Sequence, residues 1–107
     1  MTFKFPKFII IGSTKFHITY DIKRSDAEFR YPENRKKAYI NFGTSELRVN
    51  PIGFLNLIIH ELKEILDVEL GNRVFCRSTG SYKFMYEHSG HDAMCSMLAG
   101  LLTQFIK

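Results

Sequence analysis

The 107-residue chain has no run of about 18 consecutive apolar residues, so no membrane-spanning helix is expected. The apolar FIIIG segment near its start is too short and too strand-like for the core of a secretory signal. A cytoplasmic location follows as the expectation. Its two cysteines, Cys76 and Cys95, lack CxxC spacing, which excludes a disulfide framework and leaves free thiols in a reducing compartment. Internal repeats, low-complexity tracts and linkers are also missing. With 45% hydrophobic residues the chain can bury one modest core, and a single domain over 1–107 is expected.

Acidic residues are scarce in one half. Residues 1–50 carry ten Lys or Arg against five Asp or Glu, while residues 51–107 carry five against six. The densest basic piece, RYPENRKK at 30–37, has the composition of a nucleic-acid backbone contact, but it is short and broken by Pro32 and Glu33. No recognition-helix motif or RNP-like aromatic pair accompanies it. A solvated loop is the expected reading, and neither nucleic acid nor membrane is an expected partner.

What is present reads as an α+β fold. KFHITYDIK at 15–23 alternates, with Phe16, Ile18, Tyr20 and Ile22 on one face, and Gly12 and Ser13 join it to KFIII as a hairpin. After a polar loop, AYINF and ELRVN around GTS predict a second hairpin. These make a small, mostly antiparallel sheet of about four strands. Asn50 as cap and Pro51 at the first helical position announce a helix to about Leu70, with Gly71 as its stop. Leu55, Ile58, Ile59, Leu62, Ile65 and Leu66 fall in one arc that should face the sheet. RVFCR and YKFMY predict an extra hairpin between the helices. A second helix from near Ser89 or Gly90 presents Met94, Leu98, Leu101, Leu102 and Phe105 at helical spacing.

The chemistry-bearing stretch is IIHELKEIL at 58–66. Residues four apart share a helix face, so His60 and Glu64 can approach one ion, with Glu61 displaced by about 100°. In helical HExxH sites the Glu at that position deprotonates a metal-bound water rather than binding the metal. The bland alternative is a wet helix face made of Asn56, His60, Glu64 and Asp67. A metal needs a further ligand from another element, and EHSGHD at the start of the second helix offers His88, His91 and Asp92; alternatively His88 helps cap that helix and His91 sits at the core edge.

On these residues the chain resembles small gluzincin-like metallopeptidases of the ImmA/IrrE type, in the short versions found in phages and mobile elements. AYINFGTSELRVN, IIHELKEIL and the closing LAGLLTQFIK carry the resemblance, which extends from about Gly12 to the end. It implies a minimal zincin-like fold, His60 as first ligand and Glu61 as catalytic base. Glu64 stands where that family has its second His, so HExxE replaces HExxH. The family's acidic third ligand falls at Asp92, with His91 and His88 beside it. A swap, with the carboxylate at Glu64 and a histidine on the closing helix, keeps a two-His, one-carboxylate set suited to zinc, and also to iron. If the protein is phage-encoded, the cytoplasm is the host's.

Two functions are therefore expected in competition. One is a zinc-dependent hydrolase, a peptidase acting on a protein or peptide substrate, with Glu61 as base and His60, Glu64 and His91 or His88 as ligands. The other is a catalytically silent zincin-like protein that uses the metal, or an ionic network, as a staple and acts by protein–protein interaction. Tyr82 and Tyr86 are candidates to stabilise an oxyanion, or pack within their hairpin; Cys95 reads as a buried thiol.

Overall fold

The computed structural model describes residues 1–31, 37–70, 73–76, 81–84 and 88–107; for 73–76, 81–84 and 88–92 it describes the backbone alone. Strands β1 (Phe8–Ile11), β2 (Thr14–Asp21), β3 (Ala27–Arg30) and β4 (Ala38–Gly43) precede helix α1 (Pro51–Glu69). Strands β5 (Arg73–Cys76) and β6 (Ser81–Phe84) form the expected extra hairpin before helix α2 (His88–Leu102). The fold is α+β, a four-stranded mixed sheet with two helices.

The sheet order is β1-β2-β4-β3. β1 and β2 make the predicted hairpin around Gly12, whose φ of 61° is a left-handed conformation that glycine adopts without a Cβ clash. The second predicted hairpin is absent. Residues 46–50 hold no strand, because their amides close locally: Leu47 donates to the Thr44 carbonyl, and both Val49 and Asn50 donate to that of Glu46. β4 instead pairs in parallel with β2 and antiparallel with β3, a strand that lies in what reads from the sequence as a polar loop. Gly43 ends β4 under that connection, where an added Cβ would lie 2.4 Å from the Arg24 carbonyl oxygen. Strand β2 stops at Asp21, so Ile22 is exposed rather than continuing the inward face.

One face of the sheet buries Ile9, Ile11, Phe16, Ile18, Ile40 and Phe42 against α1 and the C-terminal segment. The chain ends meet: Phe3 bridges Ile106, and its ring packs edge-on against Phe54. Met94, Leu101 and Phe105 are buried as their spacing requires, whereas Cys95 is exposed and not a buried thiol. Among the described residues no helix is long and apolar enough to cross a membrane.

Helix α1 starts as expected. Asn50 accepts a hydrogen bond from the Gly53 amide at 3.0 Å, and Pro51 follows. Asn50→Ala removes that acceptor and is expected to cost about 1 kcal/mol, a fall in Tm of about 5 °C by calorimetry. The buried arc is turned from the one anticipated: Phe54, Ile58, Glu61, Leu62, Ile65, Leu66 and Asp67 are buried, while Leu55 and Ile59 are half-buried. β3, α2 and β5 all pack on α1, so more of its circumference is covered than a sheet alone would cover. Asp67 accordingly lies fully buried with Lys63 Nζ at 3.8 Å, and of the face expected to be wet at 56–67, Asn56 and His60 are exposed and Glu64 is half-buried.

Candidate metal centre

Helical spacing brings His60 and Glu64 together: Nε2 of His60 lies 3.3 Å from Oε1 of Glu64. Glu61 is turned toward the core side, and one ligand atom from each of His60, Glu61 and Glu64 lies within 4.8 Å of the others. The three differ in exposure. The side chains of His60 and Glu64 are 68% and 31% exposed, while Glu61 is 4% exposed. The group thus has an open side at His60 and a closed side at Glu61.

Glu61 carries the unusual electrostatics. Burial raises its carboxyl from 4.5 to about 7, the adjacent Glu64 adds to the rise, and Glu28 and Asp26 contribute, while His60 acts in the opposite direction. No hydrogen bond to it is found among the described residues. Glu28 and Asp26 sit on and just before β3, held by Arg24: Nε to Asp26 Oδ1 at 2.9 Å and Nη1 to Glu28 Oε1 at 3.3 Å. The Arg24 hydrogen bond keeps the Asp26 carboxyl below its ordinary value, and the same bond raises the guanidinium. The sequence shows this acidic edge only through the short alternation in AEFR, within a stretch whose composition is that of a polar loop.

His60, Glu61 and Glu64 can hold a metal ion. One imidazole and two carboxylates are a borderline-to-hard donor set, and a buried carboxylate with no hydrogen bond from the described residues is a group that a cation compensates. The side chains of His88, His91 and Asp92, also expected near the ion, lie outside the described residues, as do those of Tyr82, Tyr86 and Cys76.

Known proteins add nothing to this. Compared with protein-family models, curated proteins and solved structures, the chain matches none. The family resemblance read from IIHELKEIL thus rests on the residues alone.

Of the three, His60 alone lines a cleft of about 500 Å³ and forms one of its walls. The first half of α1 and the loops beside β3 and β4 form the rest, including Ser25, Gly43, Glu46, Asn50 and Asn56. All of these lining residues but Ser25 fall within 43–60, and Ser25 joins them where the connection before β3 lies beside the end of β4.

Proposed function

We propose that the protein is a metal-dependent hydrolase, a peptidase of the zincin-like kind, with zinc or iron held by His60 and Glu64 and with Glu61 as general base. The observation that carries this reading is the convergence of His60, Glu61 and Glu64 to within 4.8 Å beside an open cleft, with the Glu61 carboxylate buried and lacking a hydrogen bond among the described residues.

A zinc ion at this position supplies Lewis acidity toward a scissile carbonyl. The protein's own groups do the remaining work. On this reading a substrate peptide lies along the His60 wall of the cleft, and Glu61 takes the proton of the attacking water and returns it to the departing amine. Burial raises the proton affinity of Glu61 in the metal-free chain, the direction a general base requires.

One observation favours the second reading, a silent binding protein: at 3.3 Å, His60 and Glu64 are close enough to form an ionic pair of their own along α1. Turnover separates the two. Zinc-loaded protein incubated with a mixed-sequence peptide library is expected to release new termini by mass spectrometry, and Glu61→Gln to release none while keeping its zinc. Full zinc loading without cleavage selects the binding protein. Loss of zinc in Glu61→Gln makes Glu61 a ligand and ends its role as base.

A further inference from the structure

Helix α1 covers one face of the sheet; the other carries a row of side chains that no stretch of sequence contains. Phe8 of β1 is registered opposite His17 of β2, His17 opposite Tyr39 of β4, and Tyr39 opposite Arg30 of β3. Directly opposed residues share a face, so the row crosses all four strands. At about 4.8 Å per strand it extends about 14 Å. Phe8 is 50% exposed, the Arg30 side chain 66%, His17 is exposed and Tyr39 half-buried. Beside the row, Ile10 faces Lys15, whose Nζ sits 4.3 Å from the centre of the Phe8 ring, and exposed Lys37 lies two residues before Tyr39. The nearest carboxylate on this face, Glu28, is bound by Arg24 and Arg30.

We propose that this open sheet face binds single-stranded nucleic acid, with bases stacking on Phe8, His17 and Tyr39 and phosphates held by Lys15, Lys37 and Arg30. Every base has a π-face, and unpaired bases splayed over a flat sheet are met by rings at strand spacing. The cations interleave with the rings, which is what a backbone running across the strands requires. An acidic peptide would use the cations and leave the rings idle. A duplex keeps its bases stacked inside, out of reach of a flat face. The inference is independent of the metal centre, which lies on α1 against the opposite side of the sheet.

Fluorescence anisotropy of labelled rU12 and dT12 with the full chain at low salt tests it. Both single strands, or one of them, are expected to bind more tightly than a duplex of the same length, and a preference for rU12 assigns RNA while a preference for dT12 assigns DNA. Phe8→Ala and Tyr39→Ala are each expected to weaken binding about fivefold or more. Lys15→Gln and Arg30→Gln are each expected to reduce the slope of log affinity against log salt by about 0.7. Phe8 and Arg30 are exposed, so these variants read the surface even if Tyr39→Ala fails to fold in a circular-dichroism melt. Three outcomes overturn the proposal: no binding of either strand; equal binding of duplex or heparin with no loss in Phe8→Ala; or binding of phosphatidylserine vesicles that Phe8→Ala abolishes while the oligonucleotides do not bind.

Discussion

Glu61→Gln is expected to stabilise the metal-free protein at neutral pH and to leave its stability in acid nearly unchanged. The Glu61 carboxyl rises from 4.5 to about 7 in the fold, chiefly through burial, with Glu64, Glu28 and Asp26 pushing the same way and His60 against them. Below pH 4.5 the group is protonated in both the folded and the unfolded chain and costs nothing. As pH rises from 4.5 to about 7 the unfolded chain ionises first, so the folded state loses stability, and above 7 the loss is complete. At ~1.4 kcal/mol per unit the full loss is about 3 kcal/mol. Urea unfolding with a chelator at pH 4, 6 and 8 reads it directly. The gap between variant and wild type should open between pH 4.5 and 7 and then stay constant; parallel curves at all three values would mean that the burial of Glu61 carries no charge penalty.

Zinc is expected to reverse that cost. An ion that binds only the folded chain at a hundredfold excess over Kd adds about 2.7 kcal/mol. For a domain of this size the shift in Tm is about 10 °C or more. His60→Ala should abolish the shift while changing the metal-free protein by less than about 0.5 kcal/mol, because His60 is mostly exposed and its pair with Glu64 is a surface one. Glu64→Ala should abolish the zinc shift as well. A zinc shift that survives both variants would place the ion elsewhere on the chain.

Much of the architecture was legible in local patterns. The alternation of β1 and β2, the Asn50-Pro51 start of α1 and the apolar spacing of α2 each act through bonds or contacts within a few residues, and each appears where the sequence puts it. The failures share a cause in long-range pairing. Leu47 and Val49 alternate like a strand, yet their amides find acceptors three residues back, and AEFR at 27–30 is too short to declare itself until β4 lies beside it. The candidate site divides in the same way. His60 and Glu64 were legible as a pair because four residues on a helix guarantee proximity. The burial of Glu61 and Asp67 was not, since it depends on β3, β5 and α2 packing around α1. The cross-strand row from Phe8 to Arg30 is a product of strand order, which no local window records.

The most direct test of His60, Glu61 and Glu64 as a metal site is elemental analysis of untagged protein, dialysed after exposure to zinc, alongside His60→Ala. About one equivalent retained by the wild type and none by the variant is the predicted result. Equal content in both, or no metal in the wild type, would contradict it.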